Sequence, residues 1–260
     1  MRRFFLALVV LATGAFSSNV HAEDVGVVVL HGKWGTTSGN NATTRLARTL
    51  EAAGFKVELP EMPWSRDRAY DRDVQGALEE IDAAAKRLRD KGAARIVVAG
   101  QSLGANVVLI YGARRQGLAG LMAISPGHIP EFGQSRKDYA SDVAKARDMV
   151  KSGRARAKEY FLDINTGERK MLSVAADIYL SWMDPSGAAV MPTNAANIKS
   201  GTPFLWVVGD KDVMNERGKA YAYDKVPANP KNAYIVIPGG AHSDTPVVGA
   251  PQIVQWLKAL

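Results

Sequence analysis

The stretch Arg95-Ile-Val-Val-Ala-Gly-Gln-Ser-Leu-Gly-Ala-Asn-Val-Val-Leu-Ile-Tyr111 leaves this chain few ways to fold. Ile96 to Ala99 is a short run of β-branched and small apolar residues, the composition of a buried strand. From Leu103 the spacing turns helical, with Leu103, Val107, Ile110 and Tyr111 on one face. Between the two, Gly100-Gln101-Ser102-Leu103-Gly104 must turn a strand into a helix. Side chains two positions either side of the serine would strike the neighbouring strand and helix, and glycines at 100 and 104 remove them. Ala99 and Ala105 keep the next positions small. The helix then aims its first N–H groups at Ser102, which favours negative charge there. The plainer alternative is a glycine-rich connection in which Ser102 caps the helix.

The rest of the chain repeats the strand-helix rhythm. Val25 to Leu30 is apolar without alternation, so both faces of that strand are expected to be buried. It ends in the turn His31-Gly32-Lys33-Trp34-Gly35. A helix follows to about Ala53, with Leu46 and Leu50 inward and Gly54 as its stop. Lys56 to Leu59 is the next strand, and Pro60-Glu61-Met62-Pro63-Trp64-Ser65 a rigid loop. Asp73 to Asp90 is an amphipathic helix ended by Gly92, with Val74, Leu78, Ile81 and Leu88 facing the core. Gly120 to Ser125, Phe204 to Val208 and Ala233 to Ile237 complete six strands. Helices are expected around Glu216 to Tyr223 and over Pro251 to Leu260. Together these predict an α/β fold with a doubly wound, mostly parallel sheet.

From about 129 to 200 the rhythm stops. A polar helix over Lys137 to Ala157 is expected there. A hairpin follows, of Tyr160 to Ile164 and Lys170 to Val174 about Asn165-Thr166-Gly167-Glu168. A short helix over Ala175 to Met183 comes next. The alternation resumes beyond, so the segment reads as a mainly helical cap inserted above the sheet; a second domain is the alternative.

The first 22 residues read as a targeting segment. Arg2 and Arg3 precede the apolar run Phe4 to Ala12, and Val20-His21-Ala22 offers small residues for cleavage after Ala22. The domain is then 23 to 260 and the expected location periplasmic or secreted. An uncleaved anchor is the alternative; the Arg pair lacks the flanking residues of a twin-arginine signal. With no cysteine, disulfides, thiolate metal sites and a lipidated N-terminal Cys are excluded. The net charge is +7, and removing Arg2 and Arg3 leaves +5. The basic residues are scattered, or alternate with Ala, Asp and Gly between Lys145 and Lys158. That suits a solvated helix face rather than nucleic-acid binding, and leaves room for loose attraction to an anionic envelope surface.

In such a sheet, functional groups gather at the carboxyl ends of the strands. Four ends here carry His31-Gly32-Lys33-Trp34, Ser102, Asp212 and His242. A serine hydroxyl needs a base within hydrogen-bond reach, and the base needs an orienting acid. Ser102, Asp212 and His242 occur in the chain order Ser, Asp, His. Asp210 competes with Asp212 for the acid, while Asp244 caps or faces solvent. His31 either holds its own turn or touches substrate, and His128 either lines a pocket or packs in the cap. Trp34, Met62, Trp64 and Trp182 are candidates for an apolar substrate pocket; Trp206 and Trp256 read as core. Four histidines in the whole chain form no metal-ligand cluster, and no cofactor is indicated.

These turns together resemble the α/β-hydrolase superfamily over nearly all of the chain beyond residue 22. The resemblance rests on the His-Gly turn, the Gly100 to Gly104 elbow, the Gly-x-x-Asp after the fifth sheet strand and the Gly-x-x-His after the sixth. It implies Ser102 as nucleophile, His242 as general acid/base, Asp212 as orienting carboxylate and the N–H groups of Leu103 and Lys33 as oxyanion hole. The family's leading pair of strands is missing, and the cap follows no assignable pattern, which leaves the substrate open. The expectation is a serine hydrolase, esterase- or lipase-like, for carboxylic esters or other small acyl compounds. An amidase, peptidase or thioesterase with the same groups, and a non-catalytic envelope binding protein of the same fold, are the alternatives. The oligomeric state is not legible.

Overall fold

The computed structural model describes residues 21–260. Most of the expected targeting segment therefore lies outside the described residues. No helix among them is long and apolar enough to cross a membrane.

Six parallel strands form the sheet: β1 (Val25–Leu30), β2 (Lys56–Glu58), β3 (Arg95–Ser102), β4 (Gly120–Pro126), β7 (Phe204–Gly209) and β8 (Ala233–Ile237), in the order β2-β1-β3-β4-β7-β8. Strands β5 (Lys158–Asn165) and β6 (Glu168–Ala175) pair separately as an antiparallel hairpin. The order reverses between β1 and β3, so the crevice of a doubly wound sheet opens at their carboxyl ends.

The unalternating apolar runs are explained by two cores. Val28, Leu30, Ile96, Val98, Leu121, Ala123, Phe204 and Trp206 face one side of the sheet. Val25, Val27, Val29, Val97, Ala99, Met122, Ile124, Leu205 and Val207 face the other. The first face is covered by α2 (Val74–Asp90) and α3 (Leu103–Arg114), the second by α1 (Ala42–Ala52) and α8 (Ala250–Lys258). Asn41 and Asp73 cap α1 and α2 by accepting from the N–H groups of Thr44 and Gly76.

Between β4 and β7 lie α4 (Gly133–Lys151), the β5–β6 hairpin, α5 (Ala176–Met183) and α6 (Met191–Ala196). Their apolar residues Tyr139, Phe161, Tyr179 and Trp182 join the same cluster as α2 and α3. Helix α3 is consequently buried all round from Leu103 to Gly112, not on one face, because α6 packs over its outer side.

Three expectations shift. Helix α4 ends at Lys151, six residues before the expected end at Ala157. Gly153 takes a left-handed φ of 75°, and the N–H groups of Gly153 and Arg154 close back on Val150 and Met149. The helix expected at Glu216 to Tyr223 is instead a series of 3-10 turns, interrupted at Gly218 (φ 65°, ψ −179°). The closing helix runs over Ala250–Lys258 as α8, one residue earlier at its start and two at its end than expected, and a short helix α7 (Thr245–Val248) that the spacing did not mark precedes it.

The elbow is steric. A Cβ on Gly100 would lie 2.3 Å from the Gly104 carbonyl, and one on Gly104 would lie 2.6 Å from the Leu30 oxygen. Both obstacles are backbone, which has little room to yield. Gly100→Ala should therefore cost about 3 kcal/mol or more of stability. Urea denaturation checks this; a folded variant with a near wild-type midpoint would contradict the packing described.

Candidate active site

Ser102 sits at the end of β3 with φ 57° and ψ −120°, a region costly for a side-chain-bearing residue. Its side chain makes no capping bond to α3, which removes the reading of Ser102 as a helix cap. Instead its Oγ lies 3.0 Å from His242 Nε2. His242 Nδ1 lies 2.9 Å from Asp212 Oδ2. A carboxylate only accepts, so Nδ1 carries the proton and Nε2 is left to accept from the serine hydroxyl.

Asp212 is buried, and its other oxygen accepts from the Met214 N–H at 2.9 Å. Burial works to raise its pKa, but the bonds from His242 and Met214 hold it below the ordinary carboxylate value. The neighbouring Asp210 instead accepts from the Gly239 N–H at 2.8 Å, and Asp244 from the Ala241 N–H at 2.7 Å. Geometry thus separates Asp212 from Asp210, which spacing alone leaves in competition, and ties Asp244 to the loop ahead of α7.

The cavity beside Ser102 has a volume of about 580 Å³ and is lined by His242, Lys33, His128, Tyr139, Ile164 and Met214 among others. Leu103 begins α3, so its N–H has no acceptor within the helix. Among the described residues the Lys33 N–H has no hydrogen-bond acceptor either. Two further residues escape a reading of the sequence. Gln101 Nε2 donates to the His242 carbonyl at 3.1 Å and ties the histidine loop to the elbow. Gly127 lies over the serine, where a Cβ would come within 2.9 Å of Ser102 Oγ. The dipeptide Pro126-Gly127 at a strand end was its only signal.

The expected aromatic pocket needs correcting. Trp64 and Trp182 have no exposed surface and pack edge to face at 5.5 Å, beneath the cavity wall rather than on it. Met62 is equally buried. Trp64 Nε1 donates to the His31 carbonyl and Trp182 Nε1 to the Arg72 carbonyl, so both indoles are consumed in holding loops. His31 is buried too. Its Nε2 accepts from the Met62 N–H at 3.1 Å, and its Nδ1 donates to the Gly32 carbonyl at 2.8 Å. Trp34 turns its Nε1 to Asp163 at 2.8 Å and does not line the cavity. Of the six pocket candidates, His128 alone lines it. Trp206 and Trp256 are core, as expected.

A model of the alpha/beta hydrolase fold matches residues 31–244. No curated protein matches by sequence. Solved structures do. The chain is similar to one of the metagenome-derived lipolytic enzymes LipS and LipT, with 17% identity, 91% of this chain and 94% of that one covered, and a TM-score of 0.63. It is similar to a monoacylglycerol lipase of Paleococcus ferrophilus at 20% identity, covering 90% and 94%, with a TM-score of 0.60. It is also similar to Est1E from Butyrivibrio proteoclasticus at 16% identity, covering 93% and 88%, with a TM-score of 0.56.

His128 is neutral in the fold. Burial, then the nearby Lys33 ammonium, lowers its pKa from 6.5 to about 3, and its Nε2 donates to the Trp182 carbonyl at 2.8 Å. The unfolded chain therefore takes up a proton near pH 6.5 that the folded chain refuses, and stability falls as pH drops from there toward 3. Between about pH 7.5 and pH 4.5 the wild type should lose roughly 2 kcal/mol more than His128→Gln. Urea denaturation of both proteins at the two pH values checks this; equal losses would rule out a buried neutral imidazole.

Proposed function

Since the chain belongs to the alpha/beta hydrolase fold family, we propose that it is a serine hydrolase that cleaves carboxylic esters or related small acyl compounds through Ser102, His242 and Asp212. The observation that carries the reading is the unbroken hydrogen-bond chain from Ser102 Oγ through His242 to Asp212, opening on the cavity at the strand ends.

Ser102 Oγ attacks the substrate carbonyl while His242 Nε2 takes the hydroxyl proton. Asp212, kept anionic by its lowered pKa, holds the ring in its reactive tautomer and stabilises the imidazolium. The N–H groups of Leu103 and Lys33 receive the oxyanion, and Leu103 adds the positive end of α3. His242 then returns its proton to the leaving alkoxide. A water molecule attacks the acyl-serine by the same steps and frees the acid. The strained backbone at Ser102 lifts its hydroxyl out of the sheet to meet substrate. A cavity of about 580 Å³ suits an acyl group of modest size.

The same proposal places the mature protein outside the cytoplasm. Cleavage after Ala22 would leave Glu23 and Asp24 before β1 starts at Val25, so all six sheet strands stay in the mature chain and only the packing of Ala22 against the second core is lost. N-terminal sequencing of protein from a periplasmic extract tests this; a retained Met1 would refute it.

Purified protein should be labelled by a fluorophosphonate and should turn over p-nitrophenyl acetate, and Ser102→Ala should abolish both. Asp212→Asn should lower kcat by roughly 10⁴-fold. Asp212, whose pKa is held below the ordinary carboxylate value, should add no limb of its own to the pH–rate profile above about pH 5. A folded wild type that neither labels nor turns over any ester would move the protein to the binding class.

A further inference from the structure

Lys33 puts an ammonium group where charges are rarely found. Its side chain is 5% exposed and that of Asp163, on β5, is not exposed at all, with Nζ and Oδ1 2.5 Å apart. Nζ also donates to the Ile164 carbonyl at 2.9 Å and to the Tyr139 hydroxyl at 3.4 Å. Burial alone would lower the Lys33 pKa, but Asp163 and Tyr139 hold it above the ordinary value, so Lys33 keeps its charge.

The contacts converge on one turn. Asp163 Oδ2 accepts from Trp34 Nε1 at 2.8 Å, so two consecutive residues after Gly32 are anchored to a single carboxylate. The Tyr139 hydroxyl donates to Asp163 Oδ1 at 3.3 Å and accepts from the Ile164 N–H at 3.1 Å. Asn165 Nδ2 reaches back to the Lys33 carbonyl at 3.2 Å. The Lys33 peptide is therefore gripped from the hairpin through its own side chain, its carbonyl and the side chain of its neighbour. On its far side, Gly32 packs against Gln101 and Ser102.

A buried ion pair is a poor choice for stability alone. Desolvating two charges costs several kcal/mol, and an apolar pair of similar volume does as well or better. What directional bonds add is a fixed position. Hydrogen-bond donors to an oxyanion work within a few tenths of an ångström, and a displacement of about 1 Å can cost ~100-fold in rate.

We propose that Asp163 is a positioning residue for the reaction: through the Lys33 and Trp34 side chains it holds the Lys33 N–H at the oxyanion site, so that the β5–β6 hairpin completes the catalytic centre. The inference rests on the hydrolase reading above.

The test compares wild type, Asp163→Asn, the double variant Lys33→Met/Asp163→Asn and Trp34→Phe. Each is titrated for active sites with a fluorophosphonate and assayed for kcat and KM on p-nitrophenyl acetate. Each is also inhibited with a trifluoromethyl ketone, whose adduct carries the oxyanion, and melted thermally. Asp163→Asn should lower kcat per titrated site by about 10- to 100-fold with KM within about threefold, and should weaken the ketone in parallel. The double variant buries no unpaired charge, so its Tm should recover while its kcat does not. Trp34→Phe removes one bond to the carboxylate and should lower kcat several-fold at near wild-type Tm. A double variant or Trp34→Phe with kcat and ketone affinity within about twofold of wild type overturns the proposal, whether or not Asp163→Asn folds. A wild type with no Ser102-dependent labelling sinks the hydrolase reading and this one together; an active wild type with unaffected variants sinks this one alone.

Discussion

The close contact between the first turn of α3 and the ends of β1 and β3 governs the geometry around Ser102. Backbone meets backbone there: the positions that Cβ atoms of Gly100 and Gly104 would occupy are taken by carbonyl groups of the neighbouring helix and strand. The chain can pass from β3 into α3 only through a residue with positive φ, and Ser102 takes that conformation at a cost of order 1–3 kcal/mol. The strain persists because everything around it is buried. The strand is sheathed on both faces, and α3 is enclosed by the sheet on one side and α6 on the other. The irregular register between Gln101 and Ser102 against β4 is the trace of the same turn in the sheet.

Around that rigid point the other groups arrive on loops, and each loop is tied down by groups that touch no reacting atom. Gln101 holds the loop of His242 by its carbonyl. His31 and Trp64 lace the turn after β1 to the loop after β2, and the Trp34 N–H donates to the Trp64 carbonyl at 3.0 Å. Asp210 stiffens the turn beyond β8 through Gly239, leaving Asp212 to face His242. Loops carry chemistry when a scaffold fixes them, and here the fixing bonds are nearly all side chain to backbone.

The segment between β4 and β7 shares its core with the sheet. Phe161 and Tyr179 stack at 4.4 Å inside the cluster that also holds α2 and α3. Through Lys33 and Asp163 the segment reaches the turn after β1, so the wall of the cavity and the elbow beneath it are one packed body.

The six strands, the glycines of the elbow and the chain order of Ser102, Asp212 and His242 were legible in the amino-acid order because each leaves a local mark. A strand covered on both faces must be apolar at every position, and a turn without room for a Cβ must be glycine. Helix ends were legible at Asp73 and Gly54, whereas the end of the polar helix α4 was misplaced although a left-handed Gly153 follows it, because basic residues and alanines continue past that glycine. Which of Asp210 and Asp212 meets His242 was a matter of two residues on one turn, and only the approach of the loop after β8 decides it. The tryptophans misled because an indole beside a predicted site has the same composition whether it lines a cavity or plugs the core below it. Lys33 and Asp163 are 130 residues apart. Nothing local marks either as buried, since a lysine in a turn and an aspartate in a hairpin ordinarily face water. Local sterics set the framework, while long-range packing chose which polar groups to enclose and so decided the walls of the site.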